Sequence, residues 1–367
     1  MLDTLLKERN LPALMTMRDG TPVTAENWCA RRRELLDTLA NWEYGVMPAV
    51  CGETTYKEIH RDRIAAGVAV EHVVEVTFPT PDGASFTFPA AIRIPDTASA
   101  EHPLPAFVFI SFGYPKYDPI EELMNEDVII AEFVMNAVAH DGDDAYGTLL
   151  SPHLFPDGKR PPNGVRPPDG TGKIGMWAFA ASRLLDVLLT FDCVDKTRIG
   201  VVGHSRLGKT ALWAGANDTR FTHVFSNDSG CSGAAITRKK VGETFPRIAS
   251  VFPYWFCENM QTISESIEAS ESTDFDQHFL LAACAPRKVY VASASEDEWA
   301  DPTSEFLCCC AASPTWEALG LTGFVTPDKL PDAWDTLAEG NVGFHLRPGT
   351  HFLSRHDWIR YIRFIKQ

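Results

Sequence analysis

Residues 198–212 read RIGVVGHSRLGKTAL and join a β-branched run to a segment with helical character. Ser205 lies at the apex of the tight turn between them, with a glycine on each side of it. A turn of this kind exposes the serine hydroxyl above a sheet and places the backbone N–H of Arg206 at a helix N-terminus, where developing negative charge is stabilised. The segment therefore predicts a nucleophilic serine. The alternative is an inert structural turn, because the usual pattern is G-x-S-x-G and here the second glycine comes one position late.

The apolar pattern along the chain predicts the rest of the fold. From residue 105 onward, short continuous apolar runs alternate with helical stretches, which is typical of a parallel sheet covered on both faces. Residues 27–44 carry apolar side chains at helical spacing, and residues 55–94 alternate as in an antiparallel hairpin pair. The predicted strands of the sheet are 106–110, 133–138, 198–202, 222–225, 288–291 and 341–346, and the predicted helices are 176–189, 209–215 and 357–365.

We therefore predict the α/β-hydrolase fold, with a mostly parallel central sheet, helices on both faces and an N-terminal helical and β-hairpin extension. The chain, 1–367, is expected to form one domain, with the helical extension in 1–50 and the hydrolase core in 51–367. Loop insertions are expected near 151–172 and 237–277, over the carboxyl edge of the sheet where such folds bind ligands.

A serine hydroxyl is a poor nucleophile at neutral pH and needs a general base. In α/β-hydrolases this base is a histidine on the loop after the final strand. His351 follows the last predicted strand directly, in the segment RPGTHF, and is the predicted base. His345, within that strand, and His356, beside the closing helix, are less favoured alternatives.

The acid that orients the histidine has several candidates. The loop 293–302, after the penultimate strand, carries four carboxylates: Glu296, Asp297, Glu298 and Asp301. Asp228 competes with them because it directly follows the strand 222–225. Both loops lie at the carboxyl edge of the sheet, so the topology does not choose between them.

Composition excludes several classes of function. The formal net charge of −16 argues against a nucleic-acid surface, which needs clustered Lys and Arg. No apolar run is long enough for a membrane helix, and no nucleotide-binding glycine motif occurs, so we expect no membrane, nucleic-acid or cofactor partner. The acidic cluster HDGDD at 140–144 lacks calcium-loop spacing, so we predict a loop-stabilising role for it and no metal site.

The nine cysteines are odd in number and show no C-x-x-C spacing. We therefore expect reduced, mostly buried thiols. The first residues, MLDTLLKE, do not have the pattern of an export signal, so a cytoplasmic location is expected.

Between Trp177 and Phe364 the sequence resembles the glucuronoyl esterases of carbohydrate esterase family fifteen. The family motif G-C-S-R-x-G-K is matched by residues 203–209, GHSRLGK, in all but the cysteine, and the late glycine is regular there. The family also carries its acid 23 residues after the serine, where Asp228 stands. The segment 347–351, RPGTH, followed by Asp-Trp at 357–358, resembles the histidine loop of bacterial members.

The resemblance implies roles for further residues. It makes Asp228 the expected triad acid, with Asp297 and Asp301 as alternatives, and it implies an oxyanion donor in the Arg206 side chain. It also implies that substrate is bound by Lys209, Trp299 and Glu243. Fungal members join the cysteines beside the serine and the histidine by a disulfide. That bond cannot form here, because His204 and Phe352 occupy those positions.

The predicted function is hydrolysis of (4-O-methyl-)glucuronic acid esters, as on xylan side chains, through an acyl-enzyme. The partner is then a small-molecule or oligosaccharide ester. Removal of acetyl groups from xylan-type sugars by the same triad is the alternative within enzymes. A non-catalytic α/β-hydrolase that only binds carbohydrate is the alternative outside them.

Overall fold

A computed structural model describes residues 1–114, 116–142, 147–155 and 167–367. It contains a ten-stranded sheet with the order β1-β2-β3-β5-β4-β6-β7-β8-β10-β9. The strands are β1 Thr55–Ile64, β2 Ala69–Pro79, β3 Ser85–Pro95, β4 Leu104–Ser111, β5 Ile129–Val134, β6 Val194–His204, β7 His223–Asn227, β8 Lys288–Ala294, β9 Thr336–Leu337 and β10 Val342–Arg347.

The middle of the sheet is parallel and its edges are antiparallel. β5, β4, β6, β7, β8 and β10 pair in parallel, whereas β1 to β3 form an antiparallel meander at one edge and β9 pairs antiparallel with β10 at the other. Every residue of β4, β7 and β10 is buried, as expected for strands covered on both faces. The predicted α/β-hydrolase fold is confirmed, and the predicted hairpin region is a three-stranded meander.

Helices cover both faces of the sheet. On one face, Trp177 and Trp213 belong to the larger apolar cluster, and on the other, Trp358 packs edge-on against Phe107. None of the helices in the described ranges is long and apolar enough to cross a membrane. The helices are α1 Leu2–Arg9, α2 Trp28–Leu39, α3 Ile120–Asn125, α4 Ser151–Leu154, α5 Lys173–Leu188, α6 Arg206–Asn217, α7 Phe245–Val251, α8 Met260–Ile263, α9 Ile267–Glu271, α10 His278–Ala282, α11 Pro302–Ala312, α12 Pro314–Ala318 and α13 Arg355–Ile365.

Some predicted boundaries need correction. The strand predicted at 133–138 is β5, Ile129–Val134, and a 3₁₀ turn follows it at Met135–Ala137. Part of the insertion predicted at 151–172 lies outside the described residues, and its start forms α4. The insertion predicted at 237–277 contains the short helices α7, α8 and α9. Five of the nine cysteines are buried, in keeping with the prediction that most of them pack in the interior.

The predicted N-terminal helix is α2, continued by a π-helical segment at Ala40–Tyr44 that buries Glu43 completely. The Glu43 carboxylate accepts two hydrogen bonds from the Gln277 amide, at 3.0 and 3.1 Å. Burial raises the pKa of Glu43 to about 7, and the nearby Asp276 carboxylate acts in the same direction.

This buried carboxyl predicts how stability depends on pH. Folded Glu43 keeps its proton up to about pH 7, whereas the unfolded chain releases it near 4.5, so the folded state binds more protons in between. Glu43 therefore contributes a loss of stability as pH rises through this interval, and Glu43→Gln should remove that contribution from the pH dependence of the thermal unfolding midpoint. Glu305, whose pKa burial raises to about 7, acts in the same direction as Glu43, whereas the buried His204 and His223, whose pKa burial lowers to about 3, act in the opposite direction, so the prediction concerns the difference between the variant and wild type. The exposed Glu8→Gln variant is the control, and a Glu43→Gln curve parallel to wild type would contradict the prediction.

Candidate active site

The predicted nucleophile turn is present. β6 ends at His204, α6 begins at Arg206, and Ser205 between them has φ 59° and ψ −126°. A non-glycine residue in this region costs about 1–3 kcal/mol, and such conformations concentrate at functional sites. The turn is tight enough that a Cβ on Gly203 would lie 2.1 Å from the Leu207 carbonyl oxygen.

The late glycine has a packing reason. A Cβ on Gly208 would lie 3.0 Å from the Asn227 carbonyl oxygen at the end of β7. That same oxygen accepts the Ser205 N–H at 2.9 Å. α6 can therefore pass close to β7 only with glycine at this position, and the neighbouring strand holds the serine backbone in place.

His351 lies on the loop after β10, as predicted, and lines the same cleft as Ser205. Its Nδ1 is 2.6 Å from Oδ2 of Asp297. Burial alone would raise the pKa of Asp297, but the hydrogen bond with His351 lowers it below its usual range. An ionised Asp297 therefore accepts the Nδ1 proton, which leaves Nε2 as the basic nitrogen of His351.

The two alternative histidines have other partners. His345 is buried in β10 between the Asp357 carboxylate, at 2.7 Å, and the Tyr290 hydroxyl, at 3.0 Å. His356 accepts the Arg360 Nε–H at 3.2 Å on α13. Neither side chain lines the cleft.

The predicted hydrogen bond between Asp228 and His351 is not formed. Asp228 Oδ1 accepts the Ala294 N–H at 2.8 Å, and Oδ2 accepts from the Arg347 guanidinium at 3.2 Å. Asp228 still lies close, because one side-chain oxygen or nitrogen from each of Asp228, Asp297 and His351 lies within 4.8 Å of the others. The expectation fails because Arg347 and Ala294 occupy the Asp228 carboxylate. Asp301, the other alternative, caps α11 and accepts the Ser304 N–H at 3.1 Å.

The three predicted substrate-binding residues line the cleft, which has a volume of about 210 Å³. Lys209 is 4% exposed; its Nζ donates to the Ser229 carbonyl oxygen and lies 4.0 Å from Glu243 Oε2. Burial lowers the pKa of Lys209, and the Glu243 carboxylate opposes this shift. Trp299 is 52% exposed, so its ring faces solvent at the cleft.

Arg206 lines the cleft directly beside the serine. Its guanidinium lies over the Trp255 ring, 4.8 Å from the centroid, and Nη1 donates to Asp141. Its buried Nε–H has no hydrogen-bond partner among the described residues. Asp141 also accepts the Trp255 Nε1–H at 2.7 Å, which supports the stabilising role predicted for the 140–144 cluster. Residues 143 and 144 of that cluster lie outside the described residues.

Sequence reasoning missed the aromatic walls of the site. Phe252 and Trp255 line the cleft and stack with their ring centroids 3.9 Å apart. The aromatic run FPYWF at 252–256, inside an insertion predicted near the carboxyl edge, was the available signal.

His204 stands where the family motif has a cysteine and packs on His351, the predicted base. Its ring centroid is 4.5 Å from that of His351 and 5.3 Å from that of Tyr117. Tyr117 in turn contacts Phe352, at 4.9 Å. Burial lowers the pKa of His204 to about 3, and its Nδ1 is 2.6 Å from Asn227 Oδ1. An uncharged aromatic contact therefore occupies the place where fungal members have a disulfide.

Known proteins resemble the chain over most of its length. The sequence family described as "Glucuronyl esterase, fungi" matches residues 76–320. Carbohydrate esterase MZ0003, from an unknown prokaryotic organism, is 33% identical over 96% of this chain and 88% of its own length. The 4-O-methyl-glucuronoyl methylesterase of Hypocrea jecorina is 28% identical over 87% of this chain, which spans 64% of that protein.

Solved structures agree with these sequence matches. The glucuronoyl esterase from Solibacter usitatus superposes with a TM-score of 0.86 and 30% identity, over 97% of both chains. A protein described as a promiscuous CE15 esterase from a marine bacterial metagenome gives a TM-score of 0.84 and 29% identity, over 97% of this chain and 96% of that one.

Proposed function

The chain belongs to the glucuronoyl esterase family and is a carboxylic ester hydrolase, and from this premise we propose that it cleaves esters of glucuronic acid or 4-O-methyl-glucuronic acid, as on xylan side chains. The observation that carries the proposal is a single cleft lined both by Ser205, on its strained turn, and by His351, which is hydrogen-bonded to Asp297. The named substrates of relatives, such as the methylesterase of Hypocrea jecorina, support the choice of ester.

The proposed reaction passes through an acyl-enzyme. Ser205 Oγ attacks the ester carbonyl carbon while His351 Nε2 takes the hydroxyl proton, and the ionised Asp297 stabilises the resulting imidazolium. The tetrahedral intermediate collapses, the bond to the alcohol oxygen breaks, and His351 gives its proton to that oxygen. Water then attacks the acyl-enzyme with His351 again as base, which releases the uronic acid and restores Ser205.

We propose that Arg206 stabilises the negative oxygen of the tetrahedral intermediate. Its backbone N–H lies at the start of α6, where the helix dipole favours negative charge. Its side-chain Nε–H is buried without an acceptor among the described residues and belongs to a residue lining the cleft, so it is available to a negative oxygen that forms there. An unsatisfied buried donor of this kind is costly unless a ligand uses it.

The sugar ring is proposed to contact Lys209, Glu243 and Trp299. Lys209 and Glu243 form a buried pair of opposite charge that presents both donors and acceptors to ring hydroxyls. The exposed Trp299 offers an apolar face on which a sugar ring packs.

The test is a substrate panel. Purified protein is assayed on benzyl glucuronate, p-nitrophenyl acetate and an acetylated xylo-oligosaccharide. The proposal expects kcat/KM on the glucuronate ester to be at least about tenfold above that on either acetyl substrate, which is roughly 1.4 kcal/mol of transition-state discrimination. A preference for the acetylated sugar would instead establish the alternative acetyl esterase.

Lys209 provides a test of the sugar contact. Lys209→Met keeps the buried aliphatic stem and removes the charge, so we expect kcat/KM on the glucuronate ester to fall by ~1–3 kcal/mol. p-Nitrophenyl acetate has no sugar hydroxyl, and its turnover should change less than about threefold. Lys196→Met, at an exposed position of β6 outside the cleft, is the matched control. Equal losses on both substrates would show that Lys209 acts through its hydrogen bond to the Ser229 carbonyl instead.

A further inference from the structure

Arg347 is the last residue of β10, and its buried guanidinium lies beneath the loop that carries His351. Its Nη2 donates to the carbonyl oxygen of Thr350, at 3.0 Å, and to that of Phe352. These are the residues immediately before and after His351. The guanidinium therefore holds the backbone on both sides of the proposed base, through charge-assisted hydrogen bonds.

Two carboxylates from other elements anchor the same guanidinium. Its Nε donates to both oxygens of Asp357 on α13, at 3.0 and 3.2 Å, and Nη2 donates to Asp228 Oδ2 at 3.2 Å. Both carboxylates are fully buried. Such a group is rigidly held, because moving one partner leaves the others buried without compensation.

Asp228 connects this anchor to the loop of the proposed acid. Its Oδ1 accepts the N–H of Ala294, three residues before Asp297. In addition, the Ser295 N–H donates to the Arg347 carbonyl oxygen at 2.8 Å. One guanidinium and one carboxylate therefore link the loop of the base to the loop of the acid.

We propose that Arg347, anchored by Asp228 and Asp357, is a positioning residue for the triad. It holds the His351 loop in the position at which the imidazole is hydrogen-bonded to Asp297 and lines the cleft together with Ser205. Arg347 does not line the cleft itself. The inference rests on the proposed function, because it assumes that His351 is the base. It also gives Asp228 a role other than the acid.

The charges around Arg347 are compatible with protonation of His351. A lone guanidinium near His351 would oppose that protonation in the transition state. Burial alone would raise the pKa of Asp357, but His345 and Arg347 hold it below its usual range, so the ionised Asp357 carboxylate balances the charge of Arg347. Burial raises the pKa of Asp228, so Asp228 contributes through its hydrogen bonds to Arg347 and Ala294 and not through a fixed negative charge. Among the described residues, Asp297, Asp228 and His204 lie close to the His351 ring, and Arg347 with its partner Asp357 lies beneath its loop.

The test combines kinetics with pH profiles on benzyl glucuronate. Arg347→Met should lower kcat about a hundredfold with KM changed less than about threefold, because a small misplacement of the base affects turnover rather than binding. Arg347→Lys keeps the charge and should remain within about tenfold of wild type. The acidic limb of the kcat/KM profile should move to higher pH by at least about half a unit in Arg347→Met, because a positive charge beside the base is lost, and should stay within that margin in Arg347→Lys.

A pH shift in Arg347→Met that is absent from Arg347→Lys distinguishes positioning and charge from a merely structural effect. Arg363→Met, on the exposed face of α13, is the charge-matched control and should match wild type. A wild-type kcat and pH profile in Arg347→Met, or an equal loss of kcat in Arg347→Lys, would overturn the inference. If Arg347→Met fails to fold by circular dichroism, Arg347→Lys and Asp228→Asn decide: each should lower kcat with KM within about threefold of wild type, and a wild-type kcat in both would overturn the inference. A wild-type protein inactive on all three esters of the panel would overturn the proposed function and this inference with it.

Discussion

Ser205→Ala is expected to lower kcat on benzyl glucuronate by about 10⁵-fold while the protein stays folded. The alanine cannot form the acyl-enzyme, and the residual rate then comes from the oxyanion site and from substrate binding alone. His351→Ala should give a loss of similar size, because triad members act as a unit and a single loss approaches the loss of all.

A fluorophosphonate probe gives a second measurement of the same prediction. It should label wild-type protein covalently at Ser205 and leave Ser205→Ala unlabelled. Ser250→Ala, an exposed serine at the end of α7, is the control and should retain full labelling and activity. A Ser205→Ala protein within about tenfold of wild type would show that the turn is structural. Rapid binding of sugar without labelling would support the non-catalytic carbohydrate binder.

The turn that carries Ser205 and the loop that carries His351 could be predicted because local signals identify them. Ser205 depends on a strand, a turn and a helix that are contiguous in sequence, and its conformation follows from glycines within three residues of it. His351 depends on chain order, since it follows the last long strand directly. Both signals can be recognised in the sequence without any knowledge of long-range contacts.

The carboxylate that is hydrogen-bonded to His351 could not be predicted, because a long-range contact decides it. Asp228 and Asp297 follow neighbouring parallel strands, so both reach the same point of the sheet edge. The choice is made by Arg347, which lies 119 residues from Asp228 in the chain and pairs with it. The position relative to Ser205 favoured Asp228. Nothing in the local sequence shows that the Asp228 carboxyl group already accepts hydrogen bonds from Ala294 and Arg347.

The misplaced strand β5 has a different physical cause. Residues 128–138, VIIAEFVMNAV, form one nearly continuous apolar run, and such a run carries no period that would locate its ends. Pairing with β4 decides the outcome, because Ala106 to Ser111 oppose Ile129 to Val134. The chain then leaves the sheet in a 3₁₀ turn, and the remaining apolar residues pack as part of the loop.

Asp297→Asn is expected to lower kcat by about 10³- to 10⁴-fold, whereas Asp228→Asn should stay within about thirtyfold of wild type. An amide in place of the Asp297 carboxylate has no negative charge to stabilise the imidazolium, and it favours the wrong tautomer of His351. An amide in place of the Asp228 carboxyl group still accepts the Ala294 N–H through its oxygen, and it loses one acceptor toward Arg347.

Asp301→Asn controls for general damage to the acid loop. Asp301 caps α11, and asparagine caps a helix about as well as aspartate, so Asp301→Asn should change stability little and leave kcat within about threefold. The three variants are compared on benzyl glucuronate at one pH with fold checked by thermal unfolding. If Asp228→Asn were the most damaging variant, Asp228 would be the acid in the working enzyme and the hydrogen bond between His351 and Asp297 would belong to a resting arrangement. Equal, mild losses in Asp228→Asn and Asp297→Asn with a severe double variant would mean that the two carboxylates share the role, which their separation of no more than 4.8 Å permits.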